Sequence, residues 1–334
     1  MNLRTRSDAS ATDPFLRPVD ALALAFVGML IVLALVAWAQ DIPGAAPATG
    51  RLAWSVALIL ALRWARSFRP ARLGELMGAV APVGLVPVDW ALDPVTDLVS
   101  PGLRDPVLLR ADRLLFGETP SLTLQQWLTP SLTEALMVCY LSFFTLMVLP
   151  VVFFWLRRQH AEMQTYVQMV VLFFVTNLTL YLLVPAIGPR FVLEQEYAQP
   201  LHGVFVGDSI RDMFRHTPFF RDCFPSGHTA GTLLALAFTS RKLRGYFFVA
   251  LPVGVLCICA TVLCRFHYAI DVLCALPLTF WALRGARALD PGVWTGWAAW
   301  MWARRWPFAR GPVPAVRAAT SLADDRLNEL DQLA

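Results

Sequence analysis

The chain has 334 residues, of which 57% are hydrophobic and 16% are charged, and its formal net charge is +4. Soluble domains usually carry about 25% charged residues, so this composition argues against an ordinary soluble domain and favours a membrane protein. The basic residues form no stripe interleaved with aromatic residues, and we therefore expect no nucleic-acid partner.

Apolar blocks in the N-terminal part of the chain predict membrane helices. Residues 21–39 are apolar throughout, and a helix needs about 20 such residues to span a bilayer. No convincing small-residue cleavage site follows them, so we expect this segment to remain as a first helix. Residues 52–62 form a shorter block. Residues 74–92 are a weaker block that contains prolines and Glu75, and two interpretations are open: a span, or a broken or re-entrant segment.

The rest of the chain alternates polar stretches with apolar blocks. Residues 93–131 are polar overall but contain the sequence LLRADRLLFGETP, which predicts a helix along the outer membrane interface. Residues 188–225 form a second polar stretch. Residues 291–306 are rich in tryptophan and arginine, which predicts an interfacial anchor on the cytosolic side. The predicted apolar spans in this part are residues 133–156, 166–187, 229–239, 246–263 and 269–283.

The pattern divides the chain into four regions and gives it an orientation. The regions are N-terminal membrane segments (1–92), an outer interfacial segment (93–131), a helical bundle (132–288) and a cytosolic tail (289–334). Basic residues follow alternate blocks, and basic residues near span ends mark the cytosolic side. They are Arg63, Arg66, Arg69, Arg72, Arg157, Arg158, Arg241, Lys242, Arg244, Arg284 and Arg287. Both polar stretches then face outward, and the alanine- and arginine-rich usage favours a bacterial inner (plasma) membrane.

Two of the five histidines lie in sequences that suit phosphate chemistry. His228 ends the sequence CFPSGH, in which Pro225 breaks the chain and Ser226 is a good helix N-cap. The unpaired N–H groups of a helix N-terminus bind phosphate, and Gly227 lets a ligand approach the backbone closely. We expect His228 to donate a proton to a leaving oxygen. Read as structure alone, the same sequence is an ordinary helix start.

His267 begins the sequence HYAID, which places Asp271 four residues later on the same helix face. A carboxylate there can hold one ring nitrogen and leave the other free to attack. Arg190, in VPAIGPRF, offers a planar fork to phosphate oxygens. Asp271 alone could serve the helix dipole, and Arg190 alone could mark the interface. The predicted orientation brings Arg190, His228 and Asp271 to one face, which favours a common site.

Arg190, the sequence PSGH at 225–228 and the sequence HYAID at 267–271, in this order, resemble the motifs of the type 2 phosphatidic acid phosphatase (PAP2) superfamily. The resemblance covers roughly residues 130–285. GPR, TVLCRFHYAID and ADRLLFGETP are similar to the branch that contains inositol phosphorylceramide synthases. The resemblance implies an all-α fold, a polytopic transmembrane bundle of about six to eight membrane segments with a six-helix catalytic core.

The resemblance also implies roles for individual residues. His267 would be the nucleophile, Asp271 its orienting partner, and His228 the acid for the leaving alkoxide. Arg190 and the backbone of Ser226 and Gly227 would hold the phosphate oxygens. No metal and no cofactor are expected.

The chain departs from the superfamily pattern at two positions that are usually cationic. Leu183 replaces a lysine of the first motif, and Thr261 replaces an arginine of the third. Arg265 and Arg221 are candidates to supply the missing charge, because they lie close in sequence to His267 and His228 respectively.

Three functions remain open at this point. The chain could be a lipid phosphatase with water as acceptor, or a phosphotransferase that passes a phospho-head group to a lipid alcohol, as in the inositol phosphorylceramide synthase-like branch. Both need a lipid phosphate or phospholipid substrate and proceed through a phosphohistidine. A membrane transporter is the third reading, although transporter sites usually lie near the midplane of the membrane.

Overall fold

The computed structural model describes residues 16–66, 68, 71–209 and 221–289. It is 80% helical, and the described residues contain no strand, which confirms the all-α fold class. The tryptophan-rich segment predicted as an interfacial anchor lies outside the described residues, as does Arg69.

Two long helices and a broken segment form the N-terminal part. Helix α1 spans Pro18–Ala39 and α2 spans Ala45–Arg66, and the two pack against each other. The predicted break is present, because α3 (Ala71–Val80) is followed by a 3-10 helix, Ala81–Ala91, that packs on α2. The pair α1 and α2 is joined by a buried ion pair of 2.5 Å between Asp20 and Arg63.

The next polar stretch folds into short helices. They are α4 (Asp93–Val99), α5 (Asp105–Phe116), α6 (Pro120–Thr123) and a 3-10 turn, Gln125–Trp127. Helix α5 buries Asp105, Leu108 and Asp112 on one face and exposes Leu114 on the other. It ends at Gly117, whose φ of +82° suits glycine. A helix is therefore present in this segment, and its buried face packs against the bundle.

The first predicted span of the bundle is bent rather than straight. Helix α7 spans Pro130–Leu141 and α8 spans Phe143–Leu156, with 43° between them. The break lies at Ser142, whose hydroxyl donates to the Cys139 carbonyl at 2.6 Å. A serine side chain bonded back to the preceding turn competes with the helix ladder and bends it.

The remaining helices complete the bundle around one central helix. They are α9 (His160–Leu183), α10 (Pro189–Val192), a 3-10 turn at Glu194–Glu196, α11 (Gly227–Lys242), α12 (Arg244–Leu263), α13 (Ala269–Gly285) and a 3-10 turn at Ala286–Leu289. Helix α11 contacts α8, α9, α12 and α13 and buries many small residues, so it forms the centre of the bundle.

Four described helices, α1, α2, α9 and α12, are long and apolar enough to cross a membrane, and α7 with α8 makes a fifth if the bent pair crosses as one span. The chain is accordingly an integral membrane protein. The end of α9, the start of α11, the end of α12 and the start of α13 meet at one end of the bundle, where the backbone of Cys223 bonds Ala186 and that of Ser226 bonds Asp271.

Candidate active site

His267 lies in the tight turn between α12 and α13, and its ring is almost fully buried. Its Nδ1 atom is 2.7 Å from the backbone carbonyl oxygen of Cys223. A carbonyl oxygen can only accept a hydrogen bond, so Nδ1 carries the proton and Nε2 of the neutral ring keeps its lone pair. The partner that fixes the ring is thus a main-chain atom, which the residue pattern of the sequence could not reveal.

Asp271 supports the same ring from the first turn of α13. Its Oδ2 atom is 3.5 Å from Nδ1 of His267 and accepts hydrogen bonds from the backbone N–H of Tyr268 (2.9 Å) and the thiol of Cys223 (3.1 Å). Burial raises the pKa of the Cys223 thiol, and the neighbouring Asp271 charge raises it further, so the thiol stays protonated and donates. Cys223 therefore contacts both members of the predicted pair.

His228 faces His267 across the end of the bundle. Ser226 caps α11 by accepting a hydrogen bond from the backbone N–H of Thr229 at 3.3 Å, which places His228 in the first turn. The His228 ring stacks on Tyr140, with centroids 4.0 Å apart, and its centroid is 6.4 Å from that of His267. Both rings line the same cavity.

The loop that carries Arg190 is fixed by a close backbone approach. Gly188 has a φ of +87°, and a Cβ atom there would lie 2.5 Å from the carbonyl oxygen of Phe266. The backbone N–H of Arg190 donates to the Arg265 carbonyl at 3.0 Å, so this loop runs directly beside the His267 turn. Burial lowers the pKa of the Arg190 guanidinium, and the nearby Asp222 carboxylate opposes that shift.

Ser226 and Gly227 occupy the turn between the histidines. Ser226 is fully buried, and its backbone N–H donates to the Asp271 carbonyl at 3.2 Å. The N–H groups of Gly227 and His228 belong to the first turn of α11, where helical N–H groups have no partner within the helix. A Cβ atom at Gly227 would lie 2.8 Å from the hydroxyl of Tyr181, so only glycine fits without displacing that residue.

The structure does not bring the two candidate replacement cations to the histidines. The Arg265 guanidinium lies 3.7 Å over the ring of Tyr197 and donates to the Gln199 carbonyl at 2.8 Å. The Arg221 guanidinium forms an ion pair with Asp97. Cys223 and Cys264, which flank the two motifs, are free thiols.

Two acidic residues of α5 hold the site together, and the residue pattern had not singled them out. Asp105 accepts hydrogen bonds from the N–H groups of Ile187 (3.1 Å) and Gly188 (2.9 Å) and from the hydroxyl of Tyr268 (3.1 Å). Asp112 accepts the N–H groups at the start of α13. Both carboxylates are buried. Their spacing of two helical turns could have indicated a shared role, because it puts them on one face of an amphipathic helix.

A cavity of about 690 Å³ opens onto the two histidines. One part of its lining is aromatic and apolar, with Phe143, Phe144, Phe173, Phe174 and Leu178. Arg190 and Gly227 line it beside the histidines.

Cys223, His267 and Asp271 also have the spacing of metal ligands, since one ligand atom of each lies within 4.8 Å of the others. Each of these atoms already takes part in the hydrogen bonds given above, which account for the cluster as a positioning network for the ring.

Fold and sequence together identify the kind of protein. The chain is an all-α integral membrane protein, and the family model of the PAP2 superfamily matches residues 107–284, more than half of its length. The chain therefore belongs to the PAP2 superfamily, which supports a phosphatase or phosphotransferase type of activity in general. No curated protein and no solved structure matches it.

Proposed function

We propose that the chain transfers a phosphoryl or phospho-head group of a membrane lipid through a covalent phosphohistidine at His267. The observation that carries the proposal is the 2.7 Å contact between Nδ1 of His267 and the Cys223 carbonyl, which leaves Nε2 free to attack. The ring of His228, which lines the same cavity with its centroid 6.4 Å from that of His267, supports a paired acid.

In the first half-reaction, Nε2 of His267 attacks phosphorus and forms an N–P bond. The bond between phosphorus and the leaving oxygen breaks, and that oxygen takes a proton from the imidazolium form of His228, which the negative charge of the bound phosphate favours and which becomes neutral in the step. The products are an alcohol and the phosphohistidine. In the second half-reaction, neutral His228 takes the proton of an acceptor hydroxyl, whose oxygen attacks phosphorus and breaks the N–P bond.

Arg190 and the N-terminus of α11 are proposed to hold the phosphate oxygens. Arginine pairs with phosphate through a planar fork, and the N–H groups of Gly227 and His228 add a helix N-terminus. Asp271 is the proposed orienting partner of the nucleophile. Arg265 and Arg221 are bonded elsewhere in the structure. Their proposed role is therefore limited to supporting the surrounding loops.

A lipid substrate is supported by the apolar side of the cavity. Phe143 and Phe144 lie just after the bend between α7 and α8, and Phe144 is 52% exposed on the outside of the bundle. The exposed Leu141 lines the cavity on the other side of the bend. A lipid could therefore present its head group to the histidines while its chains remain in the bilayer.

We further propose that the histidines face the outside of a bacterial inner membrane and that the C-terminus is cytosolic. The histidine end of the bundle is opposite to the ends that carry Arg157, Arg241 and Lys242, and basic residues favour the cytosolic side.

Transfer to an alcohol, rather than to water, is the second candidate. A volume of about 690 Å³ is large enough for a drug-sized ligand, which exceeds the need of a single phosphate group and would admit an acceptor. The likeness of the α5 sequence ADRLLFGETP to the inositol phosphorylceramide synthase-like branch supports the same candidate.

The test is to incubate the purified full-length protein with radiolabelled lipid phosphates and phospholipids in the presence of EDTA. We expect turnover in the chelator and an acid-labile phosphoprotein that His267→Ala abolishes. His160→Ala, at a half-exposed histidine paired with Glu75, is the matched control and should retain activity. Free phosphate would indicate hydrolysis, and a new phosphodiester would indicate transfer. Full activity in His267→Ala would refute the proposal.

A further inference from the structure

The cavity that opens onto the histidines has a second polar end, which is acidic. Asp89 and Asp93, from the segment before and at the start of α4, line it together with Asp222. Asp222 directly precedes Cys223, whose carbonyl holds His267, so the acidic end adjoins the reacting centre. None of these three carboxylates is needed for the phosphoryl transfer proposed above.

The charges around this end do not cancel. Arg190 lies at the histidine end of the cavity, and Arg51 is at its rim, where it donates to the Trp90 carbonyl at 2.7 Å. Arg221 is close to Asp93 but forms its ion pair with Asp97. Arg190 lies near Asp222 and Arg221 lies near Asp93, so these two carboxylates are partly compensated, whereas the charged groups that act on Asp89 are the carboxylates of Asp222 and Asp93.

A second, independent observation points to a ligand that donates hydrogen bonds. Asn177 lines the same cavity and is 3% exposed, yet its Oδ1 atom finds no hydrogen-bond partner among the described residues. A buried acceptor without a partner costs free energy. The carboxylates and this amide oxygen are all acceptors, and the rings of Tyr140 and Tyr181 lie in the same lining.

We propose that the acidic end binds a protonated amine on the head group of the substrate, so that the cavity recognises an aminoalkyl phosphate. The phosphate lies at Arg190 and the histidines, and the ammonium group lies among Asp89, Asp93 and Asp222. An ammonium group supplies three donors and one positive charge, which matches an all-acceptor end flanked by aromatic rings. For its phosphate end, this inference rests on the proposed function.

The test compares three soluble phosphates that differ in the group esterified to the phosphate. Phosphoethanolamine carries an amine, ethyl phosphate has the same carbon chain without the amine, and inositol 1-phosphate carries neutral hydroxyls. Binding to the purified full-length protein is measured by ligand-detected NMR titration. We expect phosphoethanolamine to bind about tenfold more tightly than either of the others, the worth of a hydrogen-bonded charge pair.

The variants separate the acidic end from the phosphate end. The double variant Asp89→Asn/Asp222→Asn should remove the preference for phosphoethanolamine, while ethyl phosphate binds at least as tightly as before, because a negative charge near Arg190 is lost. Asp41→Asn is the matched control, because Asp41 is exposed and its φ of +56° suits asparagine. Arg190→Gln should weaken all three phosphates alike.

Each other outcome is decisive. Equal binding of phosphoethanolamine and ethyl phosphate, with both lost in Arg190→Gln, would overturn the amine site and leave the proposed function standing. An Asp-dependent preference for inositol 1-phosphate would overturn it in favour of a polyol head group. Failure of all three compounds to bind would overturn both the amine site and the phosphate site.

Discussion

The Asp112 carboxylate on α5 accepts the backbone N–H of Ile270 at 2.8 Å, in the first turn of α13. Its other oxygen accepts the N–H of Ala269 at 3.1 Å. A helix from outside the central bundle thus caps the helix that carries Asp271. The position of His267, the proposed nucleophile, is therefore coupled to a segment more than a hundred residues away in sequence.

Removing that cap should reduce turnover more than it reduces substrate binding. In Asp112→Ala the N-terminus of α13 loses two hydrogen bonds, and we expect kcat to fall about a hundredfold through misplacement of His267. Glu118→Gln, at an exposed carboxylate just beyond the same helix, is the control and should behave as the native protein. Equal kinetics for Asp112→Ala and the native protein would contradict the coupling.

The same carboxylate predicts a pH dependence of stability. Burial raises the pKa of Asp112, the hydrogen bonds from Ile270 and Ala269 oppose that rise, and the Asp271 charge adds to it. The net pKa is raised, so the folded protein holds this proton more tightly than the unfolded chain does. The stability that results is complete below the unfolded pKa of about 3.9 and is lost as pH rises through the folded pKa.

Asp112→Asn cannot ionise and escapes this loss. As the pH rises from about 3.5 to 6, the Tm of Asp112→Asn should therefore increase relative to the Tm of the native protein. Thermal unfolding of both proteins in the same detergent measures this difference. A difference that stays constant, or moves in favour of the native protein, would show that the pKa of Asp112 is not raised.

Cys223 should act as a positioning residue through its thiol. Cys223→Ala keeps the carbonyl that bonds His267 but removes the donor to Asp271. We expect kcat to fall about tenfold with KM unchanged, the worth of one hydrogen bond to a charged group. Cys223→Ser retains a donor and should restore most of the rate, which a loss of packing alone would not explain. An equal loss in both variants would argue against the thiol bond.

Gly188 should tolerate no side chain. In Gly188→Ala the new Cβ atom would meet the Phe266 carbonyl at 2.5 Å in a backbone conformation that alanine rarely adopts. The Arg190 loop must then separate from the His267 turn, and we expect binding of ethyl phosphate to be lost. Gly245→Ala, where a Cβ meets nothing within 4 Å, is the control. Retained phosphate binding in Gly188→Ala would show that the two loops are not held together.

The Asp20–Arg63 pair should matter for stability. Its side chains are 0% and 1% exposed, so Arg63→Met removes the charged partner given by this pair from a buried carboxylate, which keeps its hydrogen bond from the Arg17 backbone N–H. We expect a loss of about 3–5 kcal/mol in the free energy of unfolding. The double variant Asp20→Asn/Arg63→Met removes both charges and should recover much of this loss. Detergent unfolding curves measure it, and equal losses in the single and double variants would contradict the argument.

Much of this arrangement could be predicted from local sequence. Block hydropathy predicted the long helices, and the PSGH sequence predicted the Ser226 cap and the start of α11. Both predictions succeed because they depend only on neighbouring residues. The bend at Ser142 was missed because residues 133–156, despite Glu134 and Ser142, are apolar enough to resemble one span, and hydropathy does not register a side chain bonded back to its own helix.

The missed parts of the site depend on distant contacts. Asp105 and Asp112 gain their roles only when α5 docks on the loops around Gly188 and Tyr268. The Cys223 group that bonds His267 is a main-chain carbonyl, so no residue type in the sequence indicates this contact. Asp89 and Asp93 are separated from His228 by more than a hundred residues, so only the folded chain shows that they share a cavity.

The residues that line this cavity come from two parts of the chain. The histidines, Arg190 and Asp222 lie within residues 107–284, which match the superfamily, whereas Asp89 and Asp93 lie before them. Exchange of the segment from Ala81 to Val99 would therefore alter what the cavity admits while the reacting groups stay as they are. Under the proposed function, the choice of head group and the chemistry are thus carried by separable parts of the chain.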